Sequence, residues 1–129
     1  MNSFEELEVW KIARQFRISI SALIKTFPLE EKYRLVDQML RASRSITANI
    51  AEGFGRFHYQ ENIQFCRQAR GSLFETLEHL TCSYDEKIIN KEQYDSLKSD
   101  FQNTLRLLNG YIQYLIKAKT QNKTDNPNN

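Results

Sequence analysis

Between Leu35 and Gly53 the apolar residues Leu35, Met39, Ala42, Ile46 and Ile50 recur at steps of three and four. That spacing lines one side of an α-helix. Beside them, at the same spacing, runs a polar line: Gln38, Arg41, Ser45, Asn49 and Glu52, followed at once by Gly53-Phe54-Gly55-Arg56. A helix that needed only a core would place Leu or Ala at several of these sites. The stripe is therefore where a specific function, or a specific assembly, is expected to be written.

The same period recurs along the chain. Val9, Ala13, Phe16, Ile20, Leu23 and Phe27 alternate steps of four and three, which predicts a first helix from about Phe4 to Thr26. Phe27-Pro28 ends it, because proline disfavours helical geometry in the residue before it. Pro28-Leu-Glu-Glu then reads as the opening of the second helix, with acids at its positive end. That helix is expected to run to about Glu52, with Gly53 in the left-handed C-terminal conformation. A third helix is predicted from Tyr59 to about Tyr84 on Cys66, Ala69, Leu73, Leu77, Leu80 and Tyr84. Asn90 and Gln93 form a capping box for a fourth, whose seam is Tyr94, Leu97, Phe101, Leu105, Leu108, Ile112 and Leu115. Four amphipathic helices with short connections predict an all-α, antiparallel up-down-up-down bundle over residues 1–119. Residues 120–129 have nothing to bury and are expected to be a disordered tail.

Composition changes this picture little. The 129 residues, 40% apolar and 26% charged, suit one domain with one core. No apolar run approaches the roughly 18 residues of a membrane span, and the acidic start lacks the basic and apolar regions of a secretory signal. A cytoplasmic protein is expected. Cys66 and Cys82 fall in one predicted helix, roughly 24 Å apart at about 1.5 Å per residue, so they cannot pair.

Charge matters more by distribution than by sum. The net charge of +2 does not by itself require a polyanion partner. Yet Arg41, Arg44, Arg56, Arg67 and Arg70 stand against only Glu52 and Glu61 between residues 41 and 70, and Glu75 to Glu86 is acidic. Such asymmetry suits either a polyanion-binding face or ion pairs between subunits. Trp10, Ile24, Phe54, Phe57, Phe65, Phe74, Leu107, Tyr111 and Tyr114 lie off the ideal seams or in the turn, which points to a second apolar face and a homo-oligomer, the other reading being a wider core in a monomer.

Catalytic and metal chemistry find no support in the spacing. Thr76 stands where a Glu-x-x-His di-iron motif would need its Glu before His79, so no metal and no cofactor are expected. Ser43, Ser45 and Ser72 have no histidine partner at motif spacing, and a non-enzymatic protein is predicted. The Glu-Gly-Phe-Gly-Arg turn lacks the Lys-Ser/Thr of a P-loop and reads as a helix-to-helix turn. On the third helix Ser72, Glu75 and His79 form a polar line that mirrors the stripe. Arg41 or Arg44 meeting Glu75, with Gly71-Ser72 permitting close approach, would make the stripe an architectural lock between helices two and three, the other reading being a partly solvated polar face.

Several ordered blocks carry a resemblance: Leu7-Glu-Val-Trp10, Phe27-Pro28-Leu-Glu-Glu-Lys-Tyr33, Gln38-Met-Leu-Arg-Ala42, Ser45-Ile-Thr-Ala-Asn-Ile-Ala-Glu-Gly53 and Ala69-Arg-Gly-Ser-Leu-Phe-Glu75. Over residues 4–118 the chain resembles the bacterial four-helix-bundle family encoded in intervening sequences of large-subunit ribosomal RNA genes, sometimes labelled a ribosomal protein. The resemblance implies a bundle assembled as a homopentameric ring. It also implies similarity to the accessory variability protein of diversity-generating retroelements, a basic pentamer that binds nucleic acid. The expectation is a homo-oligomer binding structured RNA or DNA through Arg14, Arg17, Arg41, Arg44, Arg56, Arg67 and Arg70. The alternative is a protein-interaction scaffold without nucleic acid. No membrane partner is expected.

Overall fold

The computed structural model describes residues 2–125, with side-chain surroundings as far as residue 122. Four α-helices follow in order: α1 (Glu8–Ile24), α2 (Leu35–Gly55), α3 (Tyr59–Asp85) and α4 (Lys91–Asp125). No strand occurs among the described residues. Each helix packs on the next and α1 returns to α4, closing a square, with α2 and α3 sharing the largest interface. This is a four-helix bundle.

The predicted seams form the core. Phe16, Ile20, Met39, Ile46, Ile50, Leu73, Leu80 and Leu108 are fully buried, one or more from each helix. Buried polar groups are small and locally satisfied. Ser43, Thr76, Ser83 and Thr104 donate their hydroxyls to carbonyls three or four residues back in their own helices. Among the described residues no buried side-chain nitrogen or oxygen lacks a partner. Hydroxyls bonded this way enter a core without cost to the neighbouring helix.

The helix ends depart from expectation in instructive ways. Phe4–Glu6 is a 3-10 turn capped by the Ser3 hydroxyl, which accepts from the Glu5 N–H at 3.1 Å, and α1 proper starts only at Glu8. Pro28 does not open α2. It precedes a 3-10 turn at Leu29–Glu31, and the chain breaks at Arg34 (φ −120°, ψ −107°) before α2 begins at Leu35. At the other end α2 runs through Gly53 to Gly55, and no glycine has a positive φ. The left-handed residue of that turn is Phe57, at φ 61°.

The capping box at α4 is as expected. Gln93 N–H donates to Asn90 Oδ1 at 2.8 Å, and Asn90 N–H donates to Gln93 Oε1 at 2.9 Å. The expected tail from residue 120 is instead helical as far as Asp125, and Thr120 Oγ1 donates to Ile116 O at 3.0 Å. The polar segment continues the helix beyond its apolar seam because each added residue closes one more backbone hydrogen bond. The rest of that expected tail, 126–129, lies outside the described residues.

Candidate functional site

The polar stripe is not inside the bundle. Each of its members precedes a core residue by one position: Gln38 before Met39, Arg41 before Ala42, Ser45 before Ile46, Asn49 before Ile50, Glu52 before Gly53. One position is a 100° turn of the helix, enough to move a side chain from core to flank. Gln38, Arg41 and Glu52 are exposed, and Ser45 and Asn49 are half-buried. Their partners lie on their own helix. Arg41 Nε pairs with Asp37 at 3.2 Å, Asn49 Nδ2 donates to Ser45 O at 2.8 Å, and Arg56 Nη2 pairs with Glu52 at 3.0 Å. Glu75 pairs with His79 on α3, not with Arg41 or Arg44. The expected lock between α2 and α3 is therefore absent among the described residues. Gly71 does not mediate close approach either, since a Cβ there would meet nothing within 4 Å.

The α2–α3 interface is mainly apolar, and its closest approach sits at the turn. A Cβ on Gly53 would come within 2.7 Å of Asn62 Oδ1 and 2.9 Å of the Phe65 Cβ. Asn62 is 8% exposed; its Nδ2 donates to the Tyr111 hydroxyl at 3.2 Å, and its Oδ1 accepts from the Cys66 thiol at 3.5 Å. Burial pushes the Cys66 thiol up to about 12 and raises the Tyr111 phenol, so both stay protonated at neutral pH.

The seven candidate arginines do not form one patch. Arg56 is committed: besides Glu52 it meets Glu61 at 3.7 Å and lies over the Phe65 ring at 5.0 Å. Arg41 is held by Asp37. Arg70, on the α3–α4 side, donates to Asn109 Oδ1 at 2.9 Å, and Arg67 is exposed on α3. Arg17 and Arg44 come together between α1 and α2, and Arg14 stands on α1 over the Trp10 ring.

Arg17 and Arg44 border a groove of about 610 Å³ between α1 and α2, while Arg14 lines a separate hollow with Glu5, Trp10, Lys11 and Gln15. Its floor is Phe4, Trp10, Ile18, Leu40, Ala48 and Ala51, with Arg17, Arg44 and Thr47 among its other lining residues. Phe4 and Trp10 meet edge to face at 5.1 Å, and the Arg14 guanidinium lies over the Trp10 ring at 5.9 Å. Arg17 Nη1 donates to Thr47 Oγ1 at 3.0 Å, a neutral partner that leaves its charge intact. Among the described residues none of the three arginines has a carboxylate within ion-pair distance. Periodicity could not single them out, because α1 and α2 each supply part of the rim.

A second concavity closes the end of the bundle where α2 turns into α3. It measures about 460 Å³ and is lined by Leu7, Phe54, Phe57, His58, Tyr59, Asn62, Tyr111, Tyr114 and Leu115. Phe54, Phe57, Tyr111 and Tyr114, which lie off the seams in the sequence, converge here. Among the described residues no cluster of three or more His, Cys, Asp or Glu is placed to hold a metal ion, and no helix is long and apolar enough to cross a membrane.

Fold and surface together define a helical-bundle protein that presents one arginine-bordered groove and one aromatic-lined end. Comparison with known proteins gives the family. The chain belongs to the 23S rRNA-intervening sequence protein family, whose profile matches residues 5–110. It is similar in structure to a protein of unknown function from the S23 ribosomal protein family of Bacteroides thetaiotaomicron VPI-5482. The two share 28% identity and a TM-score of 0.75, over 81% of this chain and 97% of the other. No curated protein matches the chain.

Proposed function

We propose that this protein is a non-enzymatic, cytoplasmic homo-oligomer, assembled as a pentamer, that binds structured RNA or DNA along the α1–α2 groove. The observation that carries the reading is Arg17 and Arg44 on the rim of one groove, with Arg14 over the Trp10 ring that the groove shares; none of the three is neutralised by a carboxylate among the described residues. Arg41 and Arg56, by contrast, are paired and contribute little to a polyanion site. Arginine beside an aromatic ring suits a phosphate backbone flanked by sugars and bases. Oligomer formation is supported by apolar side chains left at the surface, Phe74 at 49% and Leu29 at 84% exposed among them.

Filter binding of a structured RNA and a DNA duplex from low to physiological salt tests this. Retention should fall steeply with salt and differ little between sequences. Arg17→Ala with Arg44→Ala should weaken binding across all sequences and flatten the salt dependence by about one power per lost phosphate contact. No retention at low salt overturns the reading.

A second reading, a protein scaffold, is favoured by the groove floor. Ile18 is 42% exposed there and Ala48 and Ala51 leave room for the backbone of a partner helix. A partner that survives nuclease treatment of the lysate in a pull-down, and is lost on Ile18→Glu, would select it.

A further inference from the structure

The α2–α3 turn is built at a conformational cost. Phe57 holds φ 61°, a left-handed geometry uncommon for any residue with a Cβ and suited to glycine. Core packing does not compel it, because the Phe57 ring is 86% exposed. The ring stands instead at the end cavity, together with Phe54, Tyr59, Tyr111 and Tyr114. Tyr111 and Tyr114 lie nearly parallel, 13° between planes at 6.2 Å.

Within this aromatic lining lie the His58 ring and one hydrogen-bonded polar pair. Asn62 donates to the Tyr111 hydroxyl, and the hydrogen of that hydroxyl has no acceptor among the described residues. A few polar groups in an apolar cavity of this size are what orients a planar ligand. Next to the cavity, and sharing Tyr59 and Tyr114 with it, lies a polar groove of about 340 Å³ that contains Lys117, Gln121 and Asn122. Lys117 has no carboxylate partner among the described residues, whereas its neighbour Lys119 bonds to Gln60.

Aromatic faces, a free hydroxyl donor and an adjacent ammonium without a carboxylate partner match the three parts of a nucleotide. We propose that the end cavity takes a single unpaired nucleotide, its base against Phe57 and Tyr114, a base acceptor on the Tyr111 hydroxyl, and its phosphate at Lys117. An apolar side chain would leave the donor and the ammonium unused. The site deepens the nucleic-acid reading and rests on it. Phe4 lines the α1–α2 groove and Leu7, three residues on, lines the end cavity, so one nucleic acid can reach both. Unpaired bases splayed onto aromatic side chains are how single-stranded bulges and loops of RNA are read.

The test uses the full chain and an RNA hairpin with a one-nucleotide 2-aminopurine bulge, against the same hairpin fully paired. The bulged hairpin should bind about tenfold more tightly, as one base–aromatic stack supplies, and its fluorescence should fall on binding. Phe57→Gly keeps the turn geometry and removes the ring; it and Tyr114→Ala should each abolish the quench and the preference. Both should leave affinity for the paired hairpin unchanged. Equal binding of the two hairpins without quenching overturns this site and leaves the groove reading standing. If neither hairpin binds, the nucleic-acid reading falls, and 5′-AMP decides the cavity by NMR. Saturable tyrosine shifts lost in Phe57→Gly support a free-nucleotide site, and their absence overturns it. Dissociation of an oligomer by Phe57→Gly would assign the cavity to a second copy of the chain and overturn the proposal.

Discussion

Asn62 occupies the space that a side chain on Gly53 would need. A Cβ there would lie 2.7 Å from Asn62 Oδ1, and that oxygen belongs to an amide already bonded to Tyr111 and Cys66. Gly53→Ala therefore overpacks a buried contact, at about 1–3 kcal/mol, against a helix-propensity gain of about 1 kcal/mol. We expect a net loss of up to about 2 kcal/mol, read as a lower urea midpoint with unchanged slope. Gly71→Ala should move the other way, by up to about 1 kcal/mol, because a Cβ at Gly71 meets nothing within 4 Å. The sequence suggested the opposite assignment for both glycines. A Gly-Phe-Gly-Arg string reads as a turn, and a glycine within a predicted helix reads as close packing. What each is for depends on a neighbour that local sequence does not display.

Cys66, in the same contact, gives a pH signature. Its thiol is pushed from 9.0 up to about 12 by burial, so the folded protein holds a proton that the unfolded chain releases. With a raised folded pKa, the stabilisation is complete below about pH 9 and is lost as pH rises toward 12. The slope approaches about 1.4 kcal/mol per pH unit for one group. Urea midpoints between pH 8 and 10 should fall in the parent and stay flatter in Cys66→Ala; equal slopes would refute the assignment. The comparison of slopes cancels the cavity that the alanine leaves.

Helices were legible because burial imposes a period. The seam Val9, Ala13, Phe16, Ile20, Leu23, Phe27 is buried throughout, and the Asn90–Gln93 box opens α4 where the residue types require it. What the period concealed was the angular width of the buried arc. On α2 that arc extends to Ser43 and Thr47, away from the polar stripe, so the stripe falls on the flank. Helix ends were legible only where a side chain does the capping. The end of α3 is made by backbone alone: Ile88 N–H donates to Ser83 O at 2.9 Å and Lys87 N–H to Tyr84 O at 3.0 Å, with Lys87 at φ 62°. This is a Schellman closure with lysine where glycine is usual. Lys87→Gly should stabilise by about 1 kcal/mol, visible as a raised urea midpoint.

For the whole molecule, the net charge of +2 limits what one subunit can do. Arg14, Arg17 and Arg44 allow about three phosphate contacts, hence a log–log salt slope of about −3 on a duplex. Such binding is weak at physiological salt. A ring changes the arithmetic without changing the groove, because subunits on one nucleic acid add their released counterions and their effective concentrations. A slope clearly steeper than −3 would therefore report several subunits engaged at once. The apolar contact best placed to hold subunits together without covering the groove is Phe74, half-exposed on the α3–α4 side against Phe101, ring centroids 5.2 Å apart. Phe74→Glu should reduce the mass seen by light scattering and return the salt slope to about −3. Arg44→Ala should instead keep the mass and lower the slope by about one for each subunit engaged. Only an oligomer that binds through its grooves gives both results; a monomer would show neither the mass change nor a slope beyond −3.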